Sequence, residues 1–214
     1  MARFRNLTVS LALILSLVIL PTTCFAKVNL ESVQALQWKG RTFCTAFSIN
    51  ETEGYWGTAA HCAVAAIEGS WEVTIAGQPA WIVAIGYPAA DVAVFQSHAK
   101  APAFKLAAKA VEVCTTEPSE CEVISIVGYP GGITRTRSYG HVAARSIPIT
   151  HPSTGYYMAS DILDITVMGG NSGSPVLNAK GEVIGVLWGA FNEAPLSLSV
   201  PLDATRRVLS GFMQ

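Results

Sequence analysis

The sequence predicts an all-β fold that ends in one helix. Short segments rich in β-branched and aromatic residues, such as residues 41–49 and 182–188, recur along most of the chain. Turn signals such as Pro130-Gly131-Gly132 separate them at the intervals that are typical of barrels or sandwiches. Half of the 214 residues are hydrophobic and only 14% are charged, which disfavours a disordered chain.

The predicted strands fall into two groups, and a polar, Ala-rich stretch over residues 97–110 separates them. We interpret the two halves as residues 31–100 and 101–214. After the last strand, Pro201 begins a helical segment whose apolar residues share one face: Leu202, Val208, Leu209 and Phe212. The predicted strands are residues 32–38, 41–49, 71–76, 80–86, 91–96, 122–127, 138–145, 155–159, 174–177, 182–188 and 196–200.

The N-terminus has the layout of a secretory signal peptide. Arg3 and Arg5 precede an apolar run over residues 7–20, and a short polar stretch ends at Ala26. We therefore expect residues 1–26 to be removed, leaving a secreted or periplasmic protein that begins at Lys27. The alternative is an uncleaved membrane anchor, which is disfavoured because spanning a bilayer takes about 20 apolar residues.

The mature chain would keep four cysteines, Cys44, Cys62, Cys114 and Cys121. Export permits disulfides, and the even count favours two of them. A zinc site is the competing interpretation, but the sequence has no C-x-x-C pair and no His at ligand spacing, so we predict no metal and no cofactor. Without residues 1–26 the chain carries 12 basic and 15 acidic residues, a net charge of −3 that argues against nucleic acid as a partner.

Three segments hold residues that could act together in catalysis. In these segments His61 follows small residues, Asp91 stands at the start of an apolar strand, and Ser172 lies in a Gly-rich turn. A serine hydroxyl becomes a good nucleophile when an imidazole removes its proton, and a buried carboxylate fixes the tautomer of that imidazole. Each segment alone is typical of an ordinary loop or turn without a catalytic role. Only the combination of the three segments indicates catalysis.

The order of the three residues selects one scaffold. A chain of the α/β-hydrolase type needs its His after the Ser, yet no His follows His151. A subtilisin-type chain needs an Asp before the His, yet the first Asp is Asp91. Only the His–Asp–Ser order of the chymotrypsin scaffold remains with His61 as the base, and that scaffold is also all-β.

With these motifs the sequence resembles the trypsin-like (chymotrypsin-fold) serine proteases, in particular the protease domains of bacterial exported Deg/HtrA-type proteins. The main matching motifs are Thr58-Ala59-Ala60-His61-Cys62, Asp91-Val92-Ala93-Val94 and Gly170-Asn171-Ser172-Gly173-Ser174-Pro175. The resemblance implies two six-stranded antiparallel β-barrels with the active site between them and a C-terminal α-helix. The Deg-type PDZ domain is expected to be absent, because the chain stops at Gln214.

The resemblance also assigns roles to the motif residues. His61 would be the general base, Asp91 its orienting acid and Ser172 the nucleophile, and the backbone N–H groups of Gly170 and Ser172 would form the oxyanion hole. It places a disulfide at Cys44 and Cys62. Cys114 and Cys121 have no such counterpart in the family, but they flank a short turn-rich stretch that a local disulfide could close.

The resemblance further locates the primary substrate pocket. Its floor would be Thr166, six residues before the nucleophile, and its walls would include Leu187, Trp188 and Gly189. None of these residues is acidic, and an unpaired Lys or Arg is costly to bury. The expected function is therefore an endopeptidase that cleaves protein or peptide substrates after small or medium uncharged residues.

Several alternatives remain open at this stage. The same fold could serve as a non-catalytic binding module, or as an esterase or amidase with the same mechanism. Asp161 and Asp164 compete with Asp91 as the acid, and the order of residues and the motif favour Asp91. We expect the other three histidines to be structural or solvated: His98, His141 and His151.

Overall fold

The computed structural model describes residues 26–152, 154–191 and 193–213, and over these residues the chain is mostly β, as the sequence predicts. The predicted signal peptide lies, except for Ala26, outside the described residues. The longer elements, in chain order, are β1 (Val33–Trp38), β2 (Arg41–Asn50), β3 (Tyr55–Thr58), α1 (Ala60–Glu68), β4 (Val73–Ile75), β5 (Gln78–Ile85), β6 (Ala93–Ser97), β7 (Ile124–Gly128), β8 (Thr136–Gly140), β9 (Val142–Thr150), β10 (Tyr157–Leu163), β11 (Pro175–Leu177), β12 (Val183–Ala190), β13 (Ser197–Pro201) and α2 (Leu202–Leu209).

The first six strands form a closed barrel in the order β1-β2-β3-β6-β5-β4. Neighbouring strands are antiparallel, and β1 closes the barrel by pairing with both β2 and β4. Large side chains that are fully buried fill this part of the core, among them Leu36, Trp56, Ile75 and Phe95. Closure leaves the barrel without a free edge, so its strands give a rigid support for the loops at its ends.

The other seven strands form one sheet in the order β8-β7-β11-β12-β13-β10-β9. The prediction of a second closed, six-stranded barrel is therefore not confirmed. The predicted strand over residues 138–145 bends at His141 and becomes two strands, of which β8 pairs with β7 and β9 pairs with β10. The backbone of His141 leaves the ladder because its N–H donates to the Asp164 carboxylate and its carbonyl accepts from the Asp164 N–H.

The two ends of this sheet are joined by the single residue His141, so the sheet curls back toward its own start. A mainly apolar cluster then fills the space between the sheet and the first barrel. It combines residues from both, including Phe47 and Val94 from the barrel and Val186, Trp188 and Val200 from the sheet. The two units thus share a core, and the loops that meet above this core hold the candidate site.

The helix α1 was not predicted from the sequence, which indicated a helix only at the C-terminus. Its segment is rich in alanine, the residue with the highest helix propensity, so a helix signal was present. Its N-cap, Ala59, supplies no side-chain hydrogen bond, but the carboxylate of Asp91 accepts the N–H of His61 in the first turn.

The helix α2 begins after Pro201, as the sequence predicts, and buries Leu202 and Leu209. Arg206 on this helix donates to the carbonyl of Ala107, at 2.7 Å, in the segment that joins the two units. None of the helices in the described part of the chain is long and apolar enough to cross a membrane.

Candidate active site

His61 and Asp91 form the centre of the candidate site. His61 lies in the first turn of α1, and Asp91 lies two residues before β6. Nδ1 of His61 is 2.7 Å from Oδ2 of Asp91, while Oδ1 accepts the His61 backbone N–H at 2.8 Å. Both carboxylate oxygens therefore hold the same residue, which fixes the imidazole in its plane and turns its Nε2 away from the acid.

Asp91 is fully buried, and its pKa is nevertheless held well below the usual range. Burial by itself raises the pKa of a carboxyl group, because it disfavours the charged form. Here the hydrogen bonds from His151 and His61, together with the charge of His61, outweigh that effect and lower the pKa. The site thus contains a buried carboxylate that stays ionised and can stabilise an imidazolium beside it.

Ser172 lies in a tight loop before β11, which we call the Ser172 loop (residues 168–172). Every backbone carbonyl of this loop accepts a hydrogen bond. The carbonyl of Met168 accepts from the Asn171 N–H (3.1 Å), that of Gly169 from the Gly131 N–H (2.7 Å) and that of Gly170 from the Thr45 hydroxyl (2.8 Å). The carbonyl of Asn171 accepts from the Ser174 N–H (2.9 Å), and that of Ser172 accepts from the Thr45 N–H (2.8 Å).

Among the described residues, Asn171 supplies the one N–H group of the loop that has an acceptor, and those of Met168, Gly169, Gly170 and Ser172 have none. The N–H groups of Gly170 and Ser172 lie on either side of Asn171 and are, of these four, the closest to the nucleophile in the chain. A trans peptide points its N–H opposite to its carbonyl, so the bonded carbonyls of Gly169 and Asn171 fix the directions of these two N–H groups. Oriented N–H groups of this kind stabilise the negative charge that develops on a carbonyl oxygen during attack. They are the same two N–H groups that the resemblance assigned to the oxyanion hole.

The Ser172 loop and the residues packed against it need glycine at positions where other chain segments come close. Gly170 and Gly173 both have positive φ angles, of +93° and +87°. A Cβ on Gly173 would collide with the carbonyl of Thr45 and the hydroxyl of Thr58, and a Cβ on Gly128 would collide with the hydroxyl of Ser174. A side chain at Gly173 would therefore push this turn away from the first barrel, and one at Gly128 would push Ser174 away from β7.

Two cavities flank the site and share one wall. The first, of about 320 Å³, is lined by His61, residues 149–152, residues 188–191 and Leu198. The second, also of about 320 Å³, is lined by Val167, Met168, Gly169, Asn171, Ser172, Leu187 and residues 189–191. Because residues 189–191 line both cavities, the walls that carry His61 and Ser172 meet at one cleft.

Ser172 Oγ makes no hydrogen bond to His61 Nε2 among the described residues. Such a contact is often long without substrate and tightens when substrate binds.

The residues predicted for the primary pocket divide between the two cavities. Leu187 and Gly189 line the second cavity beside Ser172, while Trp188 lines the first. Thr166 is exposed and lines neither, whereas the next residue, Val167, lines the second. Ile165 on the other side of Thr166 is buried in the core, which shows why the chain turns Thr166 outward.

The two competing acids have other partners. Asp161 accepts the N–H of Ser146 at 2.9 Å, and burial raises its pKa. Asp164 holds His141 at the bend of the second sheet, with 3.1 Å between Oδ2 and Nδ1. His98 is exposed and lies against the ring of Trp81. In the described structure, Asp91 is the acid that contacts His61.

His151 is the residue of the site that sequence reasoning missed, because no motif surrounds it. Its Nε2 lies 3.3 Å from Oδ2 of Asp91 and 3.1 Å from the hydroxyl of Tyr87. The pKa of Tyr87 is raised above its ordinary value by burial and by the nearby charge of Asp91. The candidate site therefore contains two histidines on one carboxylate.

His61, Asp91 and His151 are also a possible metal-binding cluster, since their ligand atoms lie within 4.8 Å of one another. However, Oδ2 of Asp91 is already 2.7 Å from one imidazole nitrogen and 3.3 Å from the other, which are hydrogen-bonding distances. Hydrogen bonds account for this arrangement without an ion.

Both disulfides expected from the cysteine count are present. Cys44–Cys62 joins β2 to α1, and Cys62 directly follows His61. Cys114–Cys121 closes a short loop before β7. The first disulfide therefore fixes the helix turn that carries the candidate base, while the second lies outside the site.

The closed barrel, the second sheet and the cleft between them define a chymotrypsin-like peptidase fold. A sequence profile for the family described as "Trypsin-like peptidase domain" matches residues 44–186. The chain belongs to this family, and that membership identifies it as a serine endopeptidase. A search of curated proteins finds no match.

Solved structures with the same fold include several bacterial proteases. Rv3671c from M. tuberculosis H37Rv, in an inactive form, is 21% identical with a TM-score of 0.65, over 85% of this chain and 86% of that one. The HtrA-type protease AlgW with a tripeptide is 19% identical with a TM-score of 0.66, over 86% of this chain and 60% of that one. The serine endoprotease from Yersinia pestis is 17% identical with a TM-score of 0.62, over 85% of this chain and 62% of that one.

Proposed function

We propose that this protein is an exported serine endopeptidase that hydrolyses peptide bonds through Ser172, His61 and Asp91. The observation that carries the proposal is the Ser172 loop. Its carbonyls are all hydrogen-bonded, and the N–H groups of Gly170 and Ser172 are left as donors beside the nucleophile. The 2.7 Å contact between His61 Nδ1 and Asp91 Oδ2 supplies the matching base.

The reaction follows from this geometry. Ser172 Oγ attacks the carbonyl carbon of the substrate while His61 Nε2 takes its proton, and the new oxyanion accepts hydrogen bonds from the N–H groups of Gly170 and Ser172. The intermediate collapses when the C–N bond breaks and His61 returns the proton to the leaving amine. Water then attacks the acyl-enzyme, with His61 again as the base, and releases the acid and Ser172. Asp91 stays ionised throughout and stabilises the imidazolium.

The cavity beside Ser172 supports a preference for uncharged side chains. None of its lining residues within the described structure is charged. Asp164, the nearest acid in sequence to the predicted floor, is engaged by His141 at the bend of the second sheet. We propose cleavage after residues such as Val, Ala, Leu or Thr, with broad preference, because one methylene is worth only about 1–3 kcal/mol of discrimination.

Export is the second part of the proposal. Two disulfides suit an oxidising compartment. We propose residues 1–26 as a signal peptide and Lys27 as the mature N-terminus, with the two units at about residues 31–100 and 101–214. Intact-mass analysis of secreted protein tests this: a chain that begins at Lys27 with two disulfides is expected, and a retained N-terminus with free thiols would contradict it.

Digestion of a peptide library tests the enzymatic proposal. The mature protein and its Ser172→Ala variant are compared under the same conditions. We expect cleavage after uncharged residues by the first and none by the second. Equal cleavage by both would exclude Ser172 as the nucleophile, and a profile dominated by Lys and Arg would reject the assigned preference. Ester hydrolysis without peptide cleavage would favour the esterase alternative.

A further inference from the structure

His151 occupies an unusual place for a residue outside the motifs. It follows β9 in the second sheet, yet its side chain reaches Asp91 on the other side of the cleft. It is only 4% exposed. Its backbone is fixed by two hydrogen bonds, from its N–H to the Tyr156 carbonyl at 2.8 Å and from the Gly155 N–H to its carbonyl at 2.9 Å.

A hydrogen bond between His151 and Asp91 would fix the tautomer of His151. An ionised carboxylate can only accept hydrogen bonds, so a hydrogen bond to Oδ2 at 3.3 Å needs a hydrogen on Nε2. In that tautomer the Tyr87 hydroxyl, 3.1 Å from the same nitrogen, faces the N–H with its oxygen as an acceptor. Oδ2 of Asp91 also faces His61 Nδ1. With hydrogens on Nδ1 of His61 and Nε2 of His151, both residues donate to the same oxygen from opposite units of the fold.

Aromatic packing holds the His151 ring in this orientation. The ring of Trp188 lies 5.1 Å away at an interplanar angle of 33°, and the ring of Tyr87 lies 5.6 Å away at 72°. Tyr87 belongs to the segment before β6, and Trp188 belongs to β12. The imidazole is thus enclosed on two sides, and its Nε2 has little freedom to leave the carboxylate.

We propose that His151 is a positioning residue for catalysis: its Nε2–H holds Oδ2 of Asp91, and the carboxylate thereby keeps His61 aligned toward Ser172. This inference rests on the proposed serine peptidase mechanism and adds a fourth side chain to it. It also makes the active site depend on the second sheet for the orientation of an acid that belongs to the first barrel. Without this donor, the buried carboxylate would lose its contact with the second sheet and would be held less firmly, mainly by His61.

Two substitutions separate hydrogen bonding from packing. His151→Phe keeps an aromatic ring against Trp188 but has no donor. His151→Gln loses the ring but can place an amide N–H where Nε2 lies. Because hydrogen bonds to charged groups contribute more than neutral ones, we expect His151→Phe to lower kcat about 10- to 100-fold with little change in KM. His151→Gln is expected to recover most of that loss.

The outcomes distinguish the inference from the mechanism on which it rests. Wild-type kcat in His151→Phe, with a loss in His151→Gln, would show that His151 acts by packing and would overturn the inference. Failure of the wild-type protein to react with a fluorophosphonate at Ser172 would instead reject the proposed mechanism. The rate of fluorophosphonate labelling at Ser172 is therefore measured on the same wild-type preparation that is used for the kcat comparison.

A spectroscopic measurement covers the case in which a His151 variant does not fold. In ¹⁵N-histidine-labelled Ser172→Ala protein, NMR identifies the protonated nitrogen of each imidazole. We expect a hydrogen on Nε2 of His151 and one on Nδ1 of His61, both perturbed by Asp91→Asn. A His151 whose Nε2 carries no hydrogen could not donate to Asp91, and that result would overturn the inference without any substitution at His151.

Discussion

The hydroxyl of Thr45 donates a hydrogen bond to the carbonyl of Gly170 at 2.8 Å, so a strand of the first barrel holds the loop that carries Ser172. The same hydroxyl accepts the N–H of Tyr129 at 3.1 Å, and the Thr45 N–H donates to the carbonyl of Ser172. Thr45 is fully buried, so water cannot replace these bonds. The two units therefore meet through one side chain directly at the candidate oxyanion hole.

The first prediction concerns this side chain. Thr45→Val keeps the shape of the residue but leaves the Tyr129 N–H and the Gly170 carbonyl without their partner. We expect the free energy of unfolding to fall by about 1–3 kcal/mol and the acylation of Ser172 to slow. Urea denaturation and fluorophosphonate labelling measure the two effects. Thr45→Ser, which keeps the hydroxyl, is the matched control, and equal behaviour of both variants would refute the role of the hydrogen bonds.

The second prediction concerns the charge of Asp91. Its pKa in the folded chain is lower than in the unfolded chain, where it is about 4. The ionised carboxylate therefore stabilises the folded state above about pH 4, and this contribution is lost progressively as the pH falls below that value. We expect the difference in unfolding free energy between wild type and Asp91→Asn to shrink between pH 5 and pH 2. A difference that is constant over this range would contradict the lowered pKa.

The same substitution should also impair catalysis. An asparagine in place of Asp91 favours the wrong tautomer of His61, and in related triads this lowers kcat about 10⁴-fold with the geometry intact. Measurement of kcat at neutral pH checks this, with circular dichroism to show that the fold is retained. An Asp91→Asn variant with wild-type kcat would remove Asp91 from the mechanism.

The third prediction compares the two disulfides. Cys44–Cys62 spans 18 residues next to His61, and Cys114–Cys121 spans 7 residues outside the site. From loop-closure entropy, replacement of both cysteines by alanine should cost about 3 kcal/mol for the first and about 2 kcal/mol for the second. Only the first pair of substitutions should slow the labelling of Ser172. Equal labelling rates in the two double variants would show that the Cys44–Cys62 disulfide does not position His61.

The fold class could be predicted because the strand signals are local. Alternation and β-branched residues mark most of the strands, and Pro201 marks the start of α2. The helix α1 was missed because its nine residues follow a strand directly and have no capping side chain. Its first-turn donor is satisfied by Asp91, thirty residues later in the chain, and no local pattern shows such a contact.

The candidate site shows the same limit. His61, Asp91 and Ser172 stand in short motifs, so the sequence identifies them. His151 has no motif, and its place beside Asp91 depends on how the second sheet folds against the barrel. The bend of that sheet at His141 is equally non-local, because the carboxylate of Asp164 creates it from a distant strand end. Tertiary contacts between residues far apart in sequence account for both omissions.

The most direct test of the account is labelling of the mature protein with a fluorophosphonate, followed by mass spectrometry of its peptides. A single modified residue, Ser172, is predicted, and labelling should be lost in Ser172→Ala and strongly reduced in His61→Ala. In peptide hydrolysis, either variant should lose about 10⁶-fold in kcat, and the double variant should be no worse, because the residues act as a unit. Modification at a residue other than Ser172 would contradict the assignment of Ser172 as the nucleophile. Labelling of the Ser172→Ala variant at the wild-type level would contradict it as well.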